Sequence, residues 1–217
     1  MKKSTSLYFM VIACLIFSLS GCISVSNSPT SRFYALRTLD KSQISQTLDF
    51  PSDRIIGVGP VKIPEFLNRP QIVTEDKNNM FTFAEFDRWG ESLDSAINRL
   101  LNENLTFILP TASIEIYPWN LFIPVRYKVY IDVVQLKSRL DQDLYFVAQW
   151  SVIDLKAKKM ALTKRSEFRQ PIKPHNYSGL AEALSSVCAS LSNEIAQELV
   201  SLVNQPEKEG LEKETAS

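Results

Sequence analysis

One amphipathic helix set between two runs of β-strand constrains this chain more than any other feature. Leu93, Ile97, Leu100, Leu101 and Leu105 fall at i, i+4, i+7, i+8 and i+12, an apolar stripe at the helical period. Asp94, Asn98, Asn102 and Glu103 lie elsewhere on that helix. A helix of about four turns between two strands is a crossover, and a crossover implies at least one parallel strand pair.

The flanking segments supply the strands. Arg54 to Ile63 (RIIGVGPVKI) is β-branched, with a bend or bulge expected near Gly59-Pro60. A loop bounded by Pro64 and Pro70 follows, and then Gln71 to Thr74 and Met80 to Phe86 flank a hairpin turn at Asp76-Lys77-Asn78-Asn79. Ser31 to Arg37 reads as a first strand, Thr38 to Asp53 as a loop, and Ala112 to Tyr117 as a short strand after the helix. Val125 to Leu136, Leu144 to Leu155 and Lys159 to Phe168 are joined by short turns and read as an antiparallel meander. A second helix, Tyr177 to Val203, carries the stripe Leu180, Leu184, Val187, Cys188, Leu191, Ile195, Leu199 and Leu202. The expected fold class is α/β: a mixed, partly antiparallel sheet of about six to seven strands with two long helices packed against it.

The start of the chain points to a membrane surface. Lys2 and Lys3 precede an apolar run from Leu7 to Leu19, too short to span a bilayer, and Leu19-Ser20-Gly21-Cys22 then reads as a lipobox. On this reading residues 1–21 are a signal peptide and Cys22 becomes the lipid-bearing first residue, carrying palmitate-type acyl chains. The alternative is an ordinary signal peptide cut nearby, with Cys22 incidental. Residues 22–30 are then a lipidated tether, 31–203 a single domain and 204–217 a charged, disordered tail. More than one acyl chain anchors a protein stably, whereas one holds it marginally. Ile23 follows Cys22 where an acidic residue would favour inner-membrane retention, so the expected location is the periplasmic leaflet of the outer membrane.

Several residues carry a resemblance to a known family. Ile63, Pro64, Leu67, Arg69, Pro70, Gln71, Ile72 and Val73, then Arg88, Trp89, Glu91, Leu93, Ile97 and Leu105, then Tyr117-Pro118-Trp119 and Trp150, resemble the PqiC/YmbA group. These are auxiliary lipoproteins of MCE-type envelope transport systems. The resemblance implies a PqiC-like domain and a role in intermembrane lipid transport that supports membrane integrity. It also implies two partners, a PqiB-like MCE-domain protein forming a periplasmic conduit and the inner-membrane partner of that conduit. A homo-oligomer stays open.

Charge and cysteine content narrow the function classes. The chain holds 24 basic and 24 acidic residues. The signal removes Lys2 and Lys3, and the tail beyond Val203 holds four glutamates and two lysines, so the domain between them is formally neutral. A neutral domain has no electrostatic basis for binding nucleic acid. Cys14 leaves with the signal and Cys22 is lipidated, which leaves Cys188 without a disulfide partner.

No constellation in the sequence points to catalysis, a cofactor or a metal. His175 is the sole histidine, in a loop, without HxxE-type spacing, and Cys188 sits on an apolar helix stripe. Phe81 and Phe83 share one face of their strand and read as core rather than site. The segment Tyr117 to Pro124 (YPWNLFIP) is either an exposed partner surface or a loop folded over the core. The candidate partner-binding residues are therefore Pro64, Arg69, Pro70, Trp89, Tyr117, Trp119 and Phe122, with Cys22 for lipid attachment. The alternatives are a lipid-anchored envelope hydrolase, which would need a nucleophile–base or carboxylate pair, and an assembly lipoprotein for another outer-membrane machine.

Overall fold

A computed structural model describes residues 29–38, 46–120 and 122–204. The expected signal, most of the tether with Cys22, and the expected tail from residue 205 lie outside the described residues. In chain order the elements are β1 (Arg32–Tyr34), β2 (Ile55–Lys62), a 3-10 turn (Glu65–Leu67), β3 (Gln71–Glu75), β4 (Phe81–Trp89) and α1 (Leu93–Ile108). There follow β5 (Ile114–Ile116), β6 (Val125–Ser138), β7 (Asp143–Asp154), β8 (Lys159–Pro171) and α2 (Tyr177–Asn204).

The class is mixed α/β, as the residue patterns imply, but the strands form two sheets rather than one. The larger has the order β5-β2-β6-β7-β8 and the smaller β1-β4-β3. The crossover through α1 does produce parallel pairs, with β2 parallel to both β5 and β6. β6, β7 and β8 make the antiparallel meander, and β3 and β4 make the hairpin, with Asn79 at φ 60 in its turn. Asparagine tolerates that left-handed conformation better than most residues.

Alternation along β6 and β7 sets the core. Val129, Ile131 and Val133 point to the helix side, and Trp150 and Phe146 on β7 join them, all essentially without solvent contact. The Trp150 indole N–H donates to Ser166 Oγ at 2.9 Å, so its one polar atom is satisfied inside the core. The stripe on α1 is buried along its whole length, with Leu93, Ile97, Leu100, Leu101 and Leu105 all inside. α2 buries Leu180, Leu184, Val187, Cys188, Leu191, Ile195 and Leu199. At its start the Asn176 side chain accepts from the Gly179 N–H at 3.0 Å, an N-cap bond. Lys164 of β8 reaches both Glu194 and Glu198 of α2, at 2.8 and 2.9 Å, and these carboxylates stand one helical turn apart.

The small sheet is tied down by a buried carboxylate. Asp87 of β4 accepts from Arg32 Nε at 2.7 Å, Arg32 Nη2 at 2.8 Å and the Tyr34 hydroxyl at 2.7 Å. The Arg32 hydrogen bonds hold the Asp87 carboxyl below the usual carboxylate range, against the opposing effect of burial. The three residues of β1 are thereby fixed to β4 although only a short parallel pairing joins them.

Candidate functional site

Two surfaces collect the expected partner-binding residues, and the backbone explains both. The first is the loop from Tyr117 to Pro124. Tyr117 N–H donates to Val58 O at 2.9 Å, and Asn98 Nδ2 of α1 donates to Tyr117 O at 3.2 Å. The loop is thus pinned where β5 ends, against β2 and α1. Gly59 makes room for it: at φ +108, a Cβ there would stand 2.6 Å from Asn98 Oδ1 and 2.8 Å from Tyr117 Cβ.

From this base the loop folds back over the larger sheet. Trp119 lies on Gly57, where a Cβ would stand 3.1 Å from the indole. Its ring meets Tyr117 edge-on at 5.3 Å and lies 5.7 Å from Lys128 Nζ. Trp119 is half-buried, so the loop both covers the sheet and presents a surface. The presented part is Tyr117, 44% exposed, and above all Phe122, 94% exposed. Asn120 Oδ1 accepts from the Phe122 N–H at 3.0 Å, an Asx-type turn that helps set the loop where Phe122 projects.

The second surface surrounds the loop Pro64 to Pro70. Pro64 is half-buried and Pro70 exposed, and the Pro70 carbonyl accepts from the Trp89 N–H at 2.8 Å. The Arg69 guanidinium stacks on the Phe83 ring at 4.3 Å, and Phe66 stacks on Phe81 at 4.6 Å. Pro64, Phe66, Phe81 and Val134 line a groove of about 390 Å³ between this loop, the hairpin and β6. Glu75 also lines it, 6% exposed, with Lys137 and Arg139 at 3.8 and 3.9 Å.

Two expectations are corrected here. Phe81 and Phe83 are not core: they are 47% and 46% exposed. They do share a face, but their hairpin partners Glu75 and Val73 take the covered positions, which leaves the Phe rings at the rim of the proline loop. Trp89 is only 7% exposed, because alternation from Arg88 turns it to the same inward side as Asp87. Its ring is not available to a partner. Residue pattern does not single out Phe66 or Val134; the one available signal is that Phe66 stands in the same proline-bounded loop as Arg69.

Cys188 and His175 belong to neither surface. The Cys188 thiol is fully buried, and burial pushes its pKa up to about 12, which disfavours the thiolate a nucleophile needs. The exposed His175 ring contacts Leu140 O at 2.9 Å through Nδ1. Among the described residues no cluster of three or more His, Cys, Asp or Glu could hold a metal, and no helix is long and apolar enough to cross a membrane.

Comparison with known proteins agrees with the architecture. The family model described as ABC-type transport auxiliary lipoprotein component matches residues 34–196. A crystal structure of an uncharacterized protein superposes with a TM-score of 0.64 at 18% identity, covering 79% of this chain and 99% of that one. A Xanthomonas campestris protein assigned to DUF330 superposes with a TM-score of 0.62 at 9% identity, covering 80% of this chain and 98% of its own. At these identities the two structures establish a shared fold. No curated protein matches significantly in sequence.

Proposed function

Because this chain belongs to the family of ABC-type transport auxiliary lipoprotein components, we propose that it is a non-catalytic, lipid-anchored docking subunit of an MCE-type intermembrane lipid transport system. Cys22 carries the anchor, in the periplasmic leaflet of the outer membrane. The partner is a PqiB-like MCE-domain conduit reaching across from the inner membrane. The observation that carries the docking role is the Tyr117–Pro124 loop. It is fixed at its base by Asn98 and Val58 and seated on Gly57 through Trp119, yet it holds Phe122 94% exposed. A large apolar ring fully in solvent on a braced loop is the feature expected of a protein contact, where aromatic residues are enriched.

The rest of the molecule is consistent with a scaffold. Cys188 is buried with its thiol pKa pushed up and His175 contacts Leu140 O, so these two do not make a nucleophile–base pair, and the domain is formally neutral.

Two measurements test the proposal. Labelled palmitate fed to cells should enter the wild-type protein and not Cys22→Ala; full labelling of the variant sinks the anchoring. Affinity capture of the lipoprotein from crosslinked envelopes should retain an MCE-domain protein, and Phe122→Ala should weaken that capture. Capture of no conduit component by a correctly localised wild-type protein contradicts the docking role.

A further inference from the structure

The small sheet presents a second surface that conduit docking leaves unexplained. Arg32, Tyr34, Asp87 and Trp89 share one face, joined by the Asp87 hydrogen bonds. Phe33 and Arg88, paired in register, therefore point the other way. On β3, Gln71, Val73 and Glu75 alternate onto that same side, and their partners on β4 are Arg88, Phe83 and Phe81. A register shift between Gln71 and Val73 keeps Arg88 and Phe83 on one side despite their odd spacing. Val73 and Glu75 are covered, Glu75 by Lys137 of β6 and by Arg139, so the exposed rim of the face is Phe33, 66% exposed, and, beyond Arg88, the outer parts of Phe83 and Phe81, on which Arg69 and Phe66 stack. The Nε atoms of Arg69 and Arg88 are buried without a hydrogen-bond partner, whereas Arg32 and Arg99 are ion-paired.

We infer that the exposed rim of this face meets the bilayer surface, its phenylalanine rings entering the interface and Arg69 and Arg88 taking lipid phosphate oxygens. The chain itself argues for that occupant. Nine residues separate Cys22 from Arg32, the first residue of β1, a reach of about 30 Å even when fully extended. A lipid on Cys22 therefore keeps β1, and the face that Phe33 opens, within that reach of the membrane; this step rests on the anchoring proposed above. Rings that combine with arginine suit the interfacial region, where apolar bodies are buried and cationic ends stay among headgroups. Glu65 and Glu85 are exposed in the same two segments, so net charge does not supply the attraction. The contact depends on ring insertion and on the phosphate that every glycerophospholipid carries.

The test removes the anchor. The mature chain carrying Cys22→Ser is floated with vesicles of phosphatidylethanolamine and phosphatidylglycerol, and separately with phosphatidylcholine. Both vesicle types should carry the protein upward. Phe81→Ser with Phe83→Ser should lower the bound fraction about tenfold or more, as expected for two half-exposed rings losing their remaining transfer energy. Phe33→Ser, at the sheet edge, should lower it less, while Phe122→Ser should leave it unchanged. Thermal melts of each variant verify folding. Failure of the Cys22→Ser chain to float overturns the inference, as does flotation untouched by the Phe33, Phe81 and Phe83 changes. Loss of conduit capture by the Phe81→Ser, Phe83→Ser chain with flotation intact would make the face a protein surface instead. Absence of palmitate on wild-type Cys22 with flotation intact would remove the anchor and leave the membrane contact standing.

Discussion

Replacing Trp119 by alanine separates the two roles of its loop. A fully buried Trp→Ala change costs about 3–5 kcal/mol. Trp119 is half-buried, so about half of that, roughly 2 kcal/mol, is the packing share. Its edge-on contact with Tyr117 at 5.3 Å adds about 0.5–1.5 kcal/mol, and Lys128 at 5.7 Å adds about 0.5 kcal/mol at a partly exposed site. Folding stability should therefore fall by about 3–4 kcal/mol. At about 2–4 °C per kcal/mol for a domain of this size, Tm should drop by roughly 6–16 °C. Phe122→Ala is the control: a ring 94% exposed has almost nothing to lose, and Tm should move by less than about 2 °C. Thermal and urea unfolding in the Cys22→Ser background measure both. An unchanged Trp119→Ala melt would refute the seating of the indole on Gly57, and a Phe122→Ala loss as large as that of Trp119→Ala would refute the exposed loop tip.

Two further perturbations probe the frame. Asp87→Asn should destabilise the domain by about 1–2 kcal/mol near neutral pH, since the carboxylate accepts charge-assisted bonds but Arg32 is largely exposed. A depressed carboxyl pKa stabilises fully above the unfolded value, about 3.9, and that contribution disappears as pH falls through the folded value. The difference between wild type and Asp87→Asn should hold from about pH 7 to about pH 5 and shrink below about pH 4; a difference that grows on acidification contradicts the latch. Cys188 should resist alkylation in the native protein and react on unfolding, and Cys188→Ala should cost about 1–2 kcal/mol while leaving envelope function intact. Rapid native labelling would place the thiol at the surface.

Much of the fold is written in local periodicity. The stripes of α1 and α2, the alternation of β6, and the Asp76–Asn79 turn each depend on neighbours close in sequence, and each is found where the residues put it. What periodicity cannot convey is which face of a strand another element covers. Phe81 and Phe83 alternate correctly, but Val73 and Glu75 opposite them take the covered positions and leave the rings half in solvent. The division into two sheets is equally hidden from local pattern. β1, β4 and β3 form a sheet separate from β5-β2-β6-β7-β8, and its β1–β4 pairing joins residues 55 positions apart in sequence and is held by Asp87. Trp89 is a candidate partner residue in the sequence, yet one residue's step along β4 turns it inward. For the Tyr117–Pro124 loop the residues leave cover and contact both open; Trp119 lies over the sheet, and Phe122 stands exposed at the tip.

The most direct measurement of the docking claim is a photo-crosslinking amino acid placed at Phe122 in the full-length lipoprotein in living cells. Illumination should join it to a periplasmic MCE-domain protein, and the same probe at Met160, exposed on β8, should not give that product. A Phe122 probe that crosslinks to no conduit component, in cells where the lipoprotein is acylated and folded, would contradict the account.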